Sequence, residues 1–329
     1  MTAVAIRGME FAVPKQCFTN DDMAKLVETS DEWIVQRTGI KTRYIASYKE
    51  NAVTLAIEAA KKLINSLKIL PETIDLIISA TSAPERCYPS VACELQYALN
   101  IPKAGGFDLV AACSGFLYAL QVARANILSG LYKRILVVAS DTTTKFLDWA
   151  DRGSCCLFGD GASATIVEAS DNGKDDISVV NLYADGDYKE IISLNVQSTL
   201  CPLCEKSDKP LNKFIYMNGR EVYKYVMKKI PAIVEETLTQ VKMKIDDIDY
   251  FVPHQANLRM IEALAERLNI PDEKVLTNIE KYGNMSATSI PCVISENLKS
   301  GKIKPDSTLL LSAFGAGMTS ACAIIKVRQ

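Results

Sequence analysis

Two stretches of this 329-residue chain repeat each other. LKILPETIDLIISA (67–80) aligns without a gap with VKMKIDDIDYFVPH (241–254), at a numbering offset of 174, here called the repeat offset. RILVVAS (134–140) aligns at the same offset with the end of STLLLSAF (307–314). Each stretch contains a β-branched, apolar run of strand length. A repeat of this size indicates an internal duplication, so we expect two similar halves.

A third pair of segments supports the duplication. FGDGASATIV (158–167) and FGAGMTSACA (314–323) share Phe-Gly-x-Gly before a strand-like run, at an offset of 156. The halves are predicted to be 1–172 and 173–329, because the polar EASDNGKDD separates them. We expect the halves to pack together, with an active site at their junction, outside the ends of the strands.

The order of strand-like and helical patterns predicts an α/β fold. Apolar runs alternate with amphipathic helical stretches, which favours largely parallel strands covered by helices. With 48% apolar residues, the chain can bury a substantial core. Its net charge of −2 provides no basic excess for nucleic acid or a membrane surface. We therefore expect small molecules or other proteins as partners.

The sequence carries no sign of export. MTAVAIRGMEFAVPK lacks the basic start and cleavage site of a signal peptide, and no apolar run approaches the roughly 18 residues that span a bilayer. Ten cysteines in such a chain are expected to remain reduced thiols. The predicted location is the cytoplasm.

Cys113 is the candidate nucleophile. It lies in FDLVAACSGFLYALQVARANILSG, where an apolar strand runs through small residues into a helix. A thiol at this turn meets the free N–H groups and the dipole of the helix, which favour a thiolate. The other nine cysteines lack this setting and are expected to be small core residues or surface thiols.

His254 and Asn284 are the candidate partners of that thiol. His254 ends the strand IDYFVPH and is the only histidine, so any acid–base or imidazole N–H role falls to it. Asn284, in KYGNMSATSIP, precedes a helix that matches the helix after Cys113. A structural histidine and a turn or N-cap asparagine are the alternatives. The same three residue types also serve papain-like proteases, although ACSGF is not the papain motif.

Four motifs resemble one family over essentially the whole chain. AACSGF, VPHQANLR, GNMSATSIP and FGAGMTS, in that order, closely resemble the β-ketoacyl-acyl carrier protein synthase III family of thiolase-fold condensing enzymes. ETSDEWIVQRTGIKTR, WADRGSCCLFGDGA and MNGREVYKYV match as well, and the match is weakest at 183–215. The resemblance implies a thiolase-like fold, with two duplicated α/β halves in a five-layer αβαβα arrangement.

The resemblance also implies roles for individual residues. Cys113 matches the acyl-accepting nucleophile, and His254 and Asn284 match the pair that holds the malonyl thioester during decarboxylation. The backbone N–H groups of Cys113 and Ala316 match the oxyanion hole. The implied coenzyme A contacts are Trp33 and Arg152 around the adenine, with Thr29, Arg37, Gly219 and Asn257 along the tunnel. Arg259 matches a carrier-protein docking residue, and Tyr88 matches a residue that limits the acyl pocket of the partner subunit.

Two further features are expected to lie on the surface. Arg220, Lys224 and Lys228 follow a spacing of four residues and therefore line one helix face. They are either a solvated face or, with Arg259, a basic patch for an acidic carrier protein. Cys201 and Cys204 form a lone CPLC, which is too few ligands for a zinc site, so we expect no metal.

The implied reaction joins a short acyl-CoA primer to malonyl-acyl carrier protein and starts fatty-acid synthesis. It needs no permanently bound cofactor, since acyl-CoA is a substrate, and the resemblance implies a homodimer. Two alternatives stay open. One is a ketosynthase or acyltransferase of specialised metabolism that uses an unusual acyl group. The other is a non-catalytic partner subunit of a condensing heterodimer.

Overall fold

The computed structural model describes residues 2–195 and 213–328. Among them, the principal strands form two sheets, and short strands form two small ribbons. The strands are β1 (Val4–Ala12), β2 (Cys17–Thr19), β3 (Thr42–Tyr44), β4 (Leu76–Ala80), β5 (Gly105–Leu109), β6 (Arg134–Asp141), β7 (Gly161–Ala169), β8 (Ile177–Ala184), β9 (Ile192–Ser193), β10 (Tyr216–Met217), β11 (Tyr250–Pro253), β12 (Ser307–Gly315) and β13 (Thr319–Val327).

The helices surround and separate these sheets. They are α1 (Asn20–Met23), α2 (Asp31–Thr38), α3 (Ala52–Leu67), α4 (Val91–Ala98), α5 (Gly115–Leu128), α6 (Arg152–Cys155), α7 (Gly219–Gln240), α8 (Leu258–Arg267), α9 (Ile279–Tyr282) and α10 (Ser289–Lys299). Asn51 caps α3 in a reciprocal capping box with Thr54, and Asn218 caps α7. In the described ranges, no helix is both long and apolar enough to cross a membrane.

The two sheets have the same plan. The first has the order β1-β7-β6-β4-β5, and the second has the order β8-β13-β12-β11. Corresponding pairs of strands run in the same relative directions. The register also repeats, because Ile77 lies opposite Leu136 and Phe251 lies opposite Leu310, each displaced by the repeat offset. The structure thus reproduces the offset of the sequence repeat, and the boundary at 172 falls between β7 and β8.

The prediction of largely parallel strands is wrong. β4 is parallel to β5 and β6, and β11 is parallel to β12, but the other principal pairings are antiparallel. The reason lies in the connections. Only single-turn helices join β6 to β7, and a three-residue turn joins β12 to β13. Neither connection returns the chain to the end of the sheet where the previous strand began. The next strand therefore starts at the opposite end and runs antiparallel to it.

The third sequence pair is displaced by two residues. Ala162 of β7 lies opposite Ser140, whereas Ser320 of β13 lies opposite Phe314. Ser140 and Phe314 are related by the repeat offset, so their partners Ala162 and Ser320 are equivalent. The strands β7 and β13 therefore match at an offset of 158 and not 156. Phe314 belongs to the end of β12, while Phe158 lies in the connection before β7. The shared Phe-Gly-x-Gly is therefore not structurally equivalent.

Helices and sheets alternate in five layers, which confirms the fold expected from the resemblance. α3 and α4 cover the outer face of the first sheet, and α7 with α8 covers the outer face of the second. α5 and α10 lie between the sheets. Residues of both central helices, such as Phe116 and Ile290, join one continuous apolar core with side chains of both sheets.

Candidate active site

Cys113 lies at a strand-to-helix turn, as the sequence predicts. β5 ends at Leu109, a 3₁₀ turn spans Ala112–Ser114, and α5 begins at Gly115. Ala112 has a φ of 46°, which turns the chain sharply in front of the thiol. Burial raises the pKa of Cys113 to about 12. Burial therefore opposes the expected resting thiolate, because it disfavours the charged form of the thiol.

A second turn of the same shape faces the first. Asn284 precedes a 3₁₀ turn at Ser286–Thr288, and α10 follows from Ser289. Ser286 has a φ of 50°, so it matches Ala112 in conformation as well as in position within the repeat. The Ser286 hydroxyl lies 3.5 Å from the Cys113 sulfur, within hydrogen-bond distance for a thiol. The two turns thus meet at the nucleophile.

His254 is buried at the end of β11. Its backbone N–H donates to Ser312 over 2.8 Å, and its ring packs edge-on against Phe314. The Nδ1 atom lies 2.7 Å from the Ser289 hydroxyl. Burial lowers the pKa of His254 to about 3, so the imidazole is neutral at physiological pH. If Ser289 donates to Nδ1, the proton of the ring lies on Nε2.

Asn284 is held by its backbone and by one side-chain bond. Its N–H donates to the carbonyl of Leu157, and its own carbonyl accepts from Gly159. The side-chain oxygen accepts a 2.9 Å bond from the N–H of Ser286. Because the oxygen is used within the turn, the amide NH₂ is the group that remains to donate to a substrate. Asn284 is therefore both a turn residue and an available hydrogen-bond donor.

One cavity of about 200 Å³ brings Cys113, His254, Asn284 and Ala316 together. Gly315 forms part of its wall against the nucleophile turn. A Cβ atom on Gly315 would lie 2.6 Å from the Cys113 nitrogen, so only glycine allows this approach. Gly315 therefore lets the backbone of this turn lie directly against the nucleophile.

An outer cleft of about 1230 Å³ leads to this cavity. The two share several lining residues, so they form one path from the surface to Cys113. The shared residues are Leu157, Met217, Gly219, Asn257 and Met260. Of the expected coenzyme A contacts, the cleft contains Trp33, Arg37, Arg152, Gly219 and Asn257, and it also contains Arg259. Thr29 lines neither space.

Trp33 lies at the centre of a cationic cluster in the cleft. The guanidinium carbon of Arg152 is 5.0 Å from the ring centre, and that of Arg37 is 5.2 Å away. Arg152 also donates to the carbonyl of Glu28 over 3.0 Å. At this spacing, no aromatic ring fits between Trp33 and Arg152. An adenine would stack here only after the guanidinium moves.

The remaining predicted residues lie on the surface. Arg220, Lys224 and Lys228 are exposed along α7, and Lys224 forms a 2.7 Å ion pair with Glu221. Tyr88 is 85% exposed and does not line the cavity of its own chain.

The sequence predicts no metal site at the CPLC motif. Cys201 and Cys204 lie outside the described residues. Within residues 2–195 and 213–328, no three His, Cys, Asp or Glu side chains form a candidate metal cluster.

Sequence reasoning missed three polar residues of the site. Ser286 contacts the Cys113 sulfur, and Ser289 bonds the His254 ring. Both stand in the quoted segment KYGNMSATSIP, so the match between this segment and the Cys113 turn was a usable signal. Asp141, buried at the end of β6, carried no such signal.

The fold and the cavity define the class of protein. Two duplicated sheets around a shared helical layer are the architecture of thiolase-fold condensing enzymes. The comparisons with known proteins narrow this class. Residues 107–186 match the family model of 3-oxoacyl-[acyl-carrier-protein] synthase III, and residues 238–327 match the model of its C-terminal part. This chain belongs to the 3-oxoacyl-[acyl-carrier-protein] synthase III family.

Individual relatives agree over the full length. The chain is 42% identical over 329 residues to the β-ketoacyl-[acyl-carrier-protein] synthase III of Coxiella burnetii, covering 99% of this chain and 100% of that one. It is 40% identical to the crystal structure of the Aquifex aeolicus enzyme, with a TM-score of 0.90 and coverages of 98% and 100%. The priming β-ketosynthase of the R1128 polyketide pathway is 29% identical, with a TM-score of 0.91 and coverages of 99% and 97%.

Proposed function

We propose that this chain is a β-ketoacyl-acyl carrier protein synthase III. It condenses a short acyl group from coenzyme A with malonyl-acyl carrier protein and so initiates fatty-acid synthesis. The observation that carries the proposal is the meeting of Cys113, His254 and Asn284 in one cavity at the end of an open cleft. The relatives that match over the full chain support the same reaction.

The first step is acyl transfer to Cys113. The thiolate attacks the thioester carbonyl of the acyl-CoA, and the coenzyme A thiol leaves with a proton. The N–H groups of Cys113 and Ala316 stabilise the oxyanion, a contribution of roughly 3–4 kcal/mol for each donor. The close approach of Gly315 to the Cys113 nitrogen supports this assignment, because it sets the two backbone segments against each other.

The second step is decarboxylation of the malonyl thioester. Loss of carbon dioxide leaves an enolate, whose oxygen needs neutral hydrogen-bond donors. His254 suits this role because burial lowers its pKa to about 3 and keeps it neutral. The Asn284 NH₂ is the second donor. The carbanion then attacks the Cys113 thioester, the Cys113 thiolate leaves, and the β-ketoacyl product remains on the carrier protein.

Coenzyme A occupies the outer cleft in this proposal. Trp33 stacks on the adenine, and Arg152 swings from the tryptophan to cover its other face. Arg37, Gly219 and Asn257 line the path of the pantetheine. No permanently bound cofactor takes part, since both substrates are already activated as thioesters.

The proposed partners dock on two surfaces. Arg220 and Lys224 are exposed on α7 next to the cleft residues Gly219 and Tyr223, and with Arg259 of the cleft they attract an acidic carrier protein. The homodimer forms at the edge strand β5, where Phe107 and the neighbouring Val110 are exposed. The acyl-pocket role of Tyr88 then belongs to the partner subunit. We assign the enzyme to the cytoplasm, and we assign the two duplicated halves to 1–172 and 173–329.

Intact-mass spectrometry with a panel of acyl-CoAs tests the proposal. One acyl group should add to the protein, and malonyl-acyl carrier protein should then discharge it with release of carbon dioxide. Cys113→Ala should form no adduct, whereas the matched control Cys93→Ala, which removes an exposed thiol on α4, should behave as the wild type. An adduct that persists in Cys113→Ala would contradict the proposal.

Specialised metabolism is the second candidate. The structural likeness to the R1128 priming ketosynthase favours it, although the identity of 29% is lower than that of the fatty-acid synthases. The same acyl-CoA panel separates the two functions. Preference for a short linear primer supports fatty-acid synthesis, and preference for an unusual acyl group supports the second candidate. An intact set of Cys113, His254 and Asn284 speaks against a non-catalytic subunit.

A further inference from the structure

The proposed reaction requires a base for Cys113, and His254 is poorly suited to be that base. Burial raises the pKa of the thiol to about 12, so the thiol is protonated at rest. Burial also lowers the pKa of His254 to about 3, which makes it a very weak proton acceptor. Its Nδ1 atom is already bonded to Ser289. A different group must take the thiol proton.

The group in contact with the thiol is Ser286. Its hydroxyl lies 3.5 Å from the Cys113 sulfur. The hydroxyl is not required by the backbone of the turn, because Ala112 adopts the same left-handed conformation at the matching position of the first half. A hydroxyl can accept one proton while donating another, but it does not retain the charge. Ser286 therefore needs a base behind it.

Asp141 is a buried carboxylate that the proposed mechanism leaves unused. Its Oδ1 atom accepts from the N–H groups of Ser82 and Ala83 and from the Thr81 hydroxyl. Its Oδ2 atom is fully buried and has no hydrogen-bond partner among the described residues. Burying a carboxylate oxygen without a partner costs free energy, so this atom calls for a functional explanation.

The symmetry of the halves brings this carboxylate to Ser286. Asp141 corresponds to Gly315 at the repeat offset, and a Cβ atom on Gly315 would lie 2.9 Å from the Cβ atom of Ala112. Ala112 corresponds to Ser286. The matching position therefore directs the Asp141 side chain towards Ser286. The Ser286 hydroxyl is near enough to lower the pKa of Asp141 in opposition to burial, although it bonds the Cys113 sulfur and not Oδ2.

We propose that Ser286 relays the proton of Cys113 to Asp141. The Ser286 hydroxyl, which donates to the sulfur at rest, first turns to Oδ2 of Asp141. The thiol proton then passes to the Ser286 oxygen as the serine proton passes to Oδ2, and the thiolate attacks the acyl thioester. The proton returns along the same path to the departing coenzyme A thiolate, so Asp141 is ionised again. The negative charge moves from one buried atom to another, and the net charge of the cavity does not change. This relay rests on the proposed role of Cys113.

The charged groups around the relay bear on its pH dependence. Its titratable members are Cys113 and Asp141, and His254 shares the cavity with Cys113. At the surface, Glu85 bonds Thr142 and Lys145 next to Asp141 in the chain. Burial raises the pKa of Asp141. Acylation of Cys113 should therefore fall as the pH falls through that raised pKa, because a protonated carboxyl accepts no further proton.

Rates of Cys113 modification test the relay. Ser286→Ala and Asp141→Asn should each slow acylation by roughly 100-fold at neutral pH, the usual size of an acid–base contribution. The loss should shrink as the pH rises, since hydroxide then deprotonates the thiol directly. The double variant should be no slower than either single variant, because both break one path. Ser163→Ala, which removes a buried hydroxyl without a partner on β7, is the control and should match the wild type.

Two outcomes would overturn the relay. One is a pH profile of Ser286→Ala that parallels the wild type at every pH. The other is a double variant whose loss is the product of the single losses. Alkylation of Cys113 by iodoacetamide, located by peptide mass, gives the same comparison without an acyl substrate. If acyl-CoA forms no adduct with the wild type, the proposed function fails, and the alkylation profiles still decide the relay.

Discussion

The two halves share one backbone plan but carry different chemistry. At positions related by the repeat offset, one half holds a reactive or polar side chain and the other holds a small inert one. The pairs are Cys113 with Ala287, His254 with Ala80, Ser286 with Ala112, and Asp141 with Gly315. Each half is thus incomplete alone, and the site exists only where the two meet.

The environment of His254 shows how the halves diverged. In the second half, His254 bonds the hydroxyl of Ser289 at the start of α10. In the first half, the same place holds Ala80 against Gly115, where a Cβ atom on the glycine would lie 3.0 Å from that of Ala80. The first half packs its strand tightly on the helix. The second half opens the same contact to hold an imidazole.

Replacing His254 by the alanine of its matching position should have the largest effect on turnover. His254→Ala should retain acylation of Cys113 but decarboxylate malonyl-acyl carrier protein more slowly by roughly 10²–10³-fold, because one of two enolate donors is lost. Intact mass measures the first step, and carbon dioxide release measures the second. Equal loss of both steps would show that His254 also acts in acylation.

Gly315→Ala tests whether the second half tolerates a side chain at the position where the first half carries Asp141. Gly315→Ala should slow Cys113 acylation by roughly 10²-fold, since its Cβ atom would lie 2.6 Å from the Cys113 nitrogen and displace an oxyanion donor. Gly186→Ala is the matched control, because a Cβ atom there meets nothing within 4 Å. A Gly315→Ala enzyme with the wild-type acylation rate would remove this turn from the oxyanion hole.

The buried imidazole should also make stability depend on pH. The unfolded chain protonates His254 near pH 6.5, whereas burial lowers the pKa in the folded state to about 3. Stability should therefore fall as the pH falls below 6.5, with up to about 2 kcal/mol lost by pH 5. Urea unfolding at several pH values measures this. His254→Asn should lose that part of the slope, and an unchanged slope would contradict a neutral, buried histidine.

Trp33 tests the part of the cleft that the first half contributes. Trp33→Ala should raise the KM for acyl-CoA by roughly tenfold with little change in kcat, because the stacking contact binds the substrate but does not react. An acyl thioester of N-acetylcysteamine, which lacks the nucleotide, should show no such change. Trp149→Phe is the control, since Trp149 lies outside the cleft. Equal effects on both substrates would exclude an adenine contact.

The smallest expected effect concerns the outer helices. Arg220→Glu on α7 should lower kcat/KM for malonyl-acyl carrier protein by about fivefold at low salt and less at high salt, while acylation by acyl-CoA stays unchanged. Lys61→Glu makes the same charge change on α3, the matching helix of the first half, and should have no effect. Equal loss in both variants would indicate a general charge effect and no docking surface.

The sequence predicts much of this arrangement because part of the information is local or repeated. The turn at Cys113 follows from an apolar strand, small residues and an amphipathic helix within one segment. The match of β4 with β11 follows from the repeat. The directions of β7 and β13 were mispredicted, because the connections before these strands decide their directions and their apolar patterns do not.

Contacts between the halves were the least predictable. Ser286 and Cys113 are 173 residues apart, and their contact depends on how two turns face each other after packing. Asp141 ends a buried apolar strand, and its sequence gives no sign of an unpaired buried oxygen. The positions become meaningful only through the register of the sheets, which places Asp141 where the other half has glycine.

The central layer of the fold also bears on cooperativity. α5 and α10 each contact both sheets, and their apolar residues belong to one core together with strands of both halves. Removal of either half would therefore expose the face of a helix that the other half needs for burial. The duplicated units are similar in structure but are not independent folding units, and proteolysis between β7 and β8 should not release a stable fragment.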